Sequence, residues 1–268
     1  MEQKLPVFGT NGYPLQDGSV YGPIHSRRYG YSLGINPLPV TYKFCDFDCV
    51  YCQYGWTPRA GSETQKTGET LKPLAKLLRE IEVSFQKMTD EKIPVNVITI
   101  AGNGEPTLYP EFLELVTGLL EFRDSYYPRI PVGILSDSSQ CHRSNIKEAL
   151  EMLDERCMKL DAGDLHTIKK INKPVGNFDL KRTLEALKSL RKVTIQSLFV
   201  QGSYDNTKSE QIHHWIEAIH FVQPSAVQVY TVDRPPADRK IKAVPIIKLN
   251  ELAELCRNKT GISTEVFD

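Results

Sequence analysis

Apolar residues recur along this chain in two alternating rhythms. Leu71, Leu74, Leu78, Ile81 and Phe85 return every three or four residues, the period that lines one face of an α-helix. Phe112, Leu115, Leu119 and Phe122 do the same, as do Ile146, Ala149, Leu150 and Leu153 behind a capping residue at Ser144. Three further helices fit Leu180 to Leu190, Glu210 to Val222 and Lys248 to Arg257. Between them lie short apolar runs with the length and β-branched content of buried strands: Tyr31 to Ile35, Asn96 to Ala101, Val132 to Leu135, Met158 to Leu160, Thr194 to Val200 and Ala226 to Tyr230. Strand followed by helix, repeated, reads as an α/β protein with parallel strands. Six such units fit a partial (β/α)6 barrel, in which ligand-binding groups gather at the carboxyl ends of the strands. The expected organisation is a single core domain over residues 1–268, with residues 1–27 as an N-terminal extension packed on the barrel.

Composition narrows the class. Forty per cent hydrophobic and 25% charged residues describe an ordinary globular chain, and no apolar run approaches the roughly 20 residues needed to span a bilayer. The opening Met-Glu-Gln-Lys-Leu-Pro lacks the pattern of a signal peptide, so a cytoplasmic location is expected. Lysine plus arginine equals aspartate plus glutamate at 33 each, so no overall field attracts a polyanion and strong nucleic-acid binding is not indicated.

The cysteines carry the chemistry. Cys45, Cys49 and Cys52 fall within eight residues, while Cys141, Cys157 and Cys256 are scattered and read as buried small hydrophobes. Ordinary electron-transfer [4Fe–4S] clusters are closed by four thiolates and structural zinc by four N/S ligands, so three clustered cysteines leave one metal position open to a small molecule. A Cys3His zinc site is the competing reading, but the nearest histidines, His25 and His142, lack the paired short spacing that closes such sites. A second feature follows the strand ending at Ala101. Gly102, Asn103, Gly104, Glu105 and Pro106 form a tight turn that lets backbone approach a ligand and places a carboxylate at the strand's end, where it can pair with an ammonium.

The CxxxCxxC spacing with an aromatic, Tyr51, before its last cysteine resembles the signature of the radical S-adenosylmethionine (radical SAM) enzymes. The turn Gly102 to Pro106 is similar to their GGEP motif, with Asn103, a residue tolerant of positive φ, in place of a glycine. The resemblance implies that Cys45, Cys49 and Cys52 hold three irons of a [4Fe–4S] cluster and that SAM chelates the fourth. It also implies that Gly102, Asn103, Gly104, Glu105 and Pro106 bind the methionine ammonium, that Tyr51 lies near the adenine, and that Ser136, Asp137 and Asp161 contact ribose or substrate. A low-potential donor such as flavodoxin or ferredoxin is implied as partner. Tyr21 to Gly30, Leu160 to Asp164 and Asp233 to Ala237 are similar to a subgroup related to the wyosine tRNA base-forming enzymes. That subgroup leaves the substrate open: nucleic acid, peptide, small metabolite, or a glycyl-radical partner to be activated. A non-catalytic Fe–S or zinc-binding protein is the alternative of a different class. The wyosine-forming enzymes hold a second cluster on cysteines upstream of the motif, and no cysteine precedes Cys45 here. Arg27, Arg28 and Arg234 are candidate contacts to a substrate phosphate or carboxylate.

Overall fold

The computed structural model describes residues 6–26, 28–58 and 70–267, so Arg27 lies outside the described residues. Its main sheet has eight strands in the order β1 (Val20–Ser26), β2 (Gly30–Ile35), β3 (Val97–Ile100), β4 (Val132–Ser136), β5 (Glu155–Lys159), β6 (Val193–Leu198), β8 (Ala226–Tyr230) and β10 (Thr264–Phe267). β1 runs antiparallel to β2, and every other neighbouring pair is parallel. The short strands β7 (Val200–Gly202) and β9 (Ile241–Ala243) pair antiparallel in a separate ribbon. Among the described residues seven α-helices connect these strands: α1 (Leu74–Asp90), α2 (Phe112–Tyr126), α3 (Ser144–Met152), α4 (Leu165–Ile171), α5 (Leu180–Ser189), α6 (Ser209–Val222) and α7 (Ile246–Thr260).

The stripe of α1 packs one position off its expected line: Leu77, Ile81 and Phe85 are fully buried and join one continuous core with Leu33, Ile35, Ile98, Ile100, Ile195, Val227 and Val229 of the strands, while the expected Leu71, Leu74 and Leu78 are half-buried against its edge. Ser144 is the first residue of α3 rather than its cap, and Arg143 at the cap position makes no side-chain capping bond. α4 and α5 are capped by Asp164 and Asp179, which accept from the backbone N–H of Thr167 and Arg182.

Among the described residues the sheet does not close. Its edges β1 and β10 share no backbone ladder, yet side chains span the gap. From the turn between β1 and β2, Tyr29 brings its hydroxyl to 3.0 Å from Cys157 Sγ on β5. Arg28 lays its guanidinium 4.7 Å from the ring centroids of both Tyr230 on β8 and Phe267 on β10. The architecture is therefore a curled, open, mostly parallel sheet wrapped by helices, and its strand ends face a common cavity. No helix among the described residues is long and apolar enough to cross a membrane.

Candidate active site

The loop after β2 carries the three cysteines, and backbone bonds from distant segments hold it. Asp48 N–H donates to Asn172 O at 2.9 Å, Val50 N–H to Ile171 O at 2.9 Å, and Val175 N–H to Asp46 O at 2.7 Å, lacing the loop to the residues after α4. On its other side the loop joins the turn after β3: Phe44 N–H donates to Asn103 O at 2.8 Å, and Glu105 N–H to Phe44 O at 3.0 Å. The two motifs are thus paired as short strands through Phe44 and Gly104.

That contact explains the glycines. Gly104 has φ +149°, and a Cβ there would fall 1.8 Å from Phe44 O; a Cβ on Gly102 would fall 2.0 Å from Asn36 Oδ1. Both are small because the cysteine loop and Asn36 press against them. Asn103 has another task than adopting positive φ. It is fully buried, its Oδ1 accepts from Gln16 N–H at 2.8 Å, and its Nδ2 donates to Gln16 O and Pro39 O at 2.9 Å each. The N-terminal segment is stapled to the motif through this side chain.

A cavity of about 470 Å³ opens over these elements. Cys45, Cys49, Cys52, Tyr51, Gly102, Gly104, Glu105, Ser136, Asp137, Arg28 and Arg234 line it, together with Lys43, Lys159, Gln196 and Tyr230, which the sequence did not single out. Asn103, Pro106 and Asp161 stand behind its wall. Pro106 instead begins a buried 3-10 turn, Pro106–Leu108, capped by the Glu105 side chain.

Glu105 is a hub. Its Oε1 accepts from Thr107 N–H at 3.0 Å, Thr107 Oγ1 at 2.5 Å and Ser136 Oγ at 2.9 Å, while Oε2 accepts from Asp137 N–H at 2.6 Å. It therefore ties the turn after β3 to the end of β4. Asp137 lies beside it, with Oδ2 3.6 Å from Cys45 Sγ. Burial, followed by the charges of Glu105 and Asp46, raises the Asp137 carboxyl well above its ordinary range; burial likewise raises Glu105 against its hydrogen bonds. Crowded carboxyls of this kind, one buried and one half-buried, are relieved by a bound cation.

On the far side of the cysteines a second network forms. Tyr51 OH donates to Asp161 Oδ2, and Asn172 Nδ2 reaches Asp161 Oδ2 at 2.6 Å, Tyr51 OH at 2.8 Å and Cys49 Sγ at 3.5 Å. Asp161 Oδ1 accepts from Leu198 N–H at 2.7 Å and lies 3.7 Å from Lys159 Nζ. Only 2% exposed, Asp161 orients Tyr51 and Lys159 rather than facing the cavity itself. Lys159 also donates to Tyr230 OH at 2.8 Å. Burial opposes its charge, but Asp161 and Tyr230 more than restore it and hold the ammonium above the usual lysine value.

Burial pushes the Cys49 thiol up to about 12 and Cys45 well above the usual thiol range. Lys43 answers them. It is buried, its Nζ donates to Gly55 O at 3.1 Å, and although burial disfavours its charge, the sulfurs of Cys52, Cys45 and Cys49 and the carboxylate of Asp48 raise it overall. A fixed ammonium beside three sulfurs offsets the negative charge of metal-bound thiolates.

The donor set fits an iron–sulfur cube better than zinc. All three thiols line one cavity, and among the described residues no histidine or further cysteine lines it to complete a tetrahedron. Cys141, Cys157 and Cys256 are buried elsewhere, with Cys141 Sγ 4.0 Å from Thr183 O and Cys256 Sγ 3.9 Å from Thr260 Oγ1. Cys45, Asp46 and Asp137 also place ligand atoms within 4.8 Å of one another. That trio mixes a soft thiol with hard carboxylates and leaves Cys49 and Cys52 unused.

The decisive comparison is with known families. The Radical SAM superfamily profile matches residues 40–222, which carry the cysteine loop, the turn after β3 and the strand ends up to α6. The chain belongs to the radical SAM superfamily. This is a family of enzymes that typically use a [4Fe–4S] cluster and SAM. A UPF0026 protein of Methanocaldococcus jannaschii is 31% identical over 245 residues, covering 90% of this chain and 72% of that one. Among solved structures, SuiB of Streptococcus suis bound to its precursor peptide SuiA superposes with a TM-score of 0.61 at 17% identity, covering 88% of this chain. TYW1 with a lysine–pyruvate adduct bound gives 0.60 at 15% identity, covering 86% of this chain and 75% of that one. This chain spans about half of SuiB, 48% of its length. At these identities the two structures share the radical SAM fold with this protein, and their substrates are their own.

Proposed function

We propose that this protein is a radical SAM enzyme in which Cys45, Cys49 and Cys52 hold a [4Fe–4S] cluster and the cavity beside them takes SAM. The observation that carries this reading is one wall on which three thiols, the Gly102–Glu105 turn, the buried acid Glu105 and the half-buried Asp137 converge. Soft sulfurs suit iron, and crowded carboxyls suit the ammonium of an amino acid. Held by Cys45, Cys49 and Cys52, a reduced cluster would supply the single electron needed for reductive cleavage of SAM, the source of hydrogen-abstracting power toward a substrate.

The chain's own residues prepare that chemistry. Lys43 balances the sulfur charge, Glu105 fixes the end of β4, and Asn172 with Asp161 orients Tyr51 against the cavity. The buried part of the wall, with Lys43, Phe47, Cys49, Glu105 and Leu198, limits water and stray hydrogen donors. A reducing donor of the flavodoxin or ferredoxin kind is the partner this reading requires.

Wyosine-type ring formation is not favoured. TYW1 carries a lysine–pyruvate adduct, whereas the lysines facing this cavity are committed as cations: Lys43 lies 3.5 Å from Asp48 and Lys159 lies 3.7 Å from Asp161. A charged ammonium is a poor nucleophile toward a carbonyl.

The class is tested by anaerobic reconstitution with iron and sulfide followed by SAM and dithionite. Release of 5′-deoxyadenosine is expected even without added substrate. A protein that binds one zinc, takes no iron and leaves SAM intact would be the non-catalytic metal binder instead. Glu105→Gln removes a negative charge from the wall facing SAM. Its SAM affinity is expected to fall about tenfold or more, equivalent to about 1.5–3 kcal/mol, with iron content retained. Calorimetric titration beside an iron assay checks the separation.

A further inference from the structure

The same cavity is also lined by the cations Arg28 and Lys159, and among the described residues Arg28 has no acidic partner. Arg28 sits on the turn between β1 and β2, remote from the loops after β2 and β3 that carry the proposed cluster and SAM sites. Its guanidinium rests against Tyr230 and Phe267, 4.7 Å from each ring centroid. Its Nε is buried without a hydrogen-bond partner, and no carboxylate pairs with it among the described residues. Two aromatic contacts hold a planar fork in place, and among the described residues no side-chain hydrogen bond of Arg28 occupies its N–H groups, the arrangement that recognises an oxyanion through paired hydrogen bonds.

Lys159 reinforces it from β5. Its ammonium lies 5.3 Å from the centroid of the same Tyr230 ring and donates to that residue's hydroxyl at 2.8 Å. Asp161 occupies one side of the ammonium at 3.7 Å. Gln196, also lining the cavity, is held by its donation to Gln228 Oε1 at 2.9 Å. Arg234 is set apart: exposed, it donates to Gln53 Oε1 at 2.7 Å and faces the Tyr13 ring at 5.4 Å.

We infer that Arg28, with Lys159 beside it, binds an oxyanion on a small substrate, a carboxylate or a phosphate, and so fixes which carbon faces the proposed SAM site. This rests on the radical SAM reading given above and adds to it the substrate's charge and the end of the molecule that is gripped. A folded macromolecule is disfavoured because the gripping group lies within the cavity, its Nε buried, rather than on an exposed face.

The test is calorimetric titration of the reconstituted protein, saturated with SAM so that the anion cannot occupy the amino-acid site, using inorganic phosphate, ribose 5-phosphate, pyruvate and neutral ribose. Saturable binding of at least one anion and none of ribose is expected, with affinity falling about tenfold or more in Arg28→Gln and partly restored in Arg28→Lys. Binding of the phosphates alone identifies a phosphoester, and binding of pyruvate alone a carboxylate. Should Arg28→Gln fail to fold, Lys159→Met is expected to weaken the same anion. No anion binding to the wild type, an unchanged affinity in Arg28→Gln, or binding of tRNA where every small anion fails would overturn the inference. Wild-type protein that releases 5′-deoxyadenosine yet binds no anion refutes this inference alone. Anion binding by protein that never cleaves SAM refutes the radical SAM chemistry alone.

Discussion

Replacing any one of Cys45, Cys49 or Cys52 by serine is expected to remove essentially all iron and all SAM cleavage. Cys141→Ser and Cys256→Ser are expected to keep both near the wild-type level. The contrast follows from position. The first three sulfurs line one cavity and are balanced by a buried ammonium, whereas Cys141 and Cys256 are packed elsewhere among apolar neighbours. A cube held by three thiolates loses a site-determining ligand with any one of them, so the loss is of the whole cluster rather than a third of it. Iron and sulfide assays on anaerobically reconstituted variants, with about four irons per chain expected in the wild type, decide the matter. Equal iron loss in Cys141→Ser would break the assignment of ligands.

Gly104→Ala should be the most damaging change that touches no reactive group. The added methyl would lie 1.8 Å from Phe44 O at a backbone with φ +149°, a conformation that residues with side chains seldom adopt. To relieve it, the turn after β3 must part from the cysteine loop, breaking the bonds Phe44 N–H to Asn103 O and Glu105 N–H to Phe44 O. A destabilisation of about 3 kcal/mol is expected, read as a lower urea midpoint at unchanged slope, together with poor iron uptake. A midpoint equal to wild type would show that the loop contact tolerates displacement.

Local signals made the strands β2, β3, β4, β6 and β8 and six of the helices legible, because each carries its own period or apolar run. What stayed hidden depends on partners far along the chain. β1 contains Gly22 and Pro23, residues that argue against a strand and are tolerated here at the sheet edge. β5 starts three residues before the expected Met158, because Arg156 looks like surface; in the fold it is buried and donates to Leu150 O at 2.6 Å and Glu151 O at 3.0 Å in the last turn of α3. β6 ends at Leu198, so Val200 belongs to the β7–β9 ribbon instead. α4 has seven residues, too few to show a period, and β10 has four.

The site divides in the same way. Cys45, Cys49, Cys52 and the Gly102–Glu105 turn are contiguous motifs and could be read directly. Lys43, Lys159, Asn172, Gln196 and Tyr230 take their meaning only from the fold. Lys43, two residues before the first cysteine, is the one that spacing alone could have flagged. Asp161 and Asn103 were expected at the ligand and are placed behind it, where they fix Tyr51 and the N-terminal segment.

The cysteine loop has one further property, which concerns the order of assembly. The loop is held by Asn172 reaching Cys49 across 123 residues and by Arg234 donating to Gln53 across 181, and the segments around it are tied by Asn103 to Gln16 across 87 and by Asn11 to Pro235 O across 224. Chain contacts this remote form late. A ribosome-bound chain halted before residue 172 would hold its three thiols against the turn after β3 alone and lack the bonds from Ile171, Asn172 and Val175, so metal loading is expected to follow release of the finished polypeptide rather than accompany its synthesis.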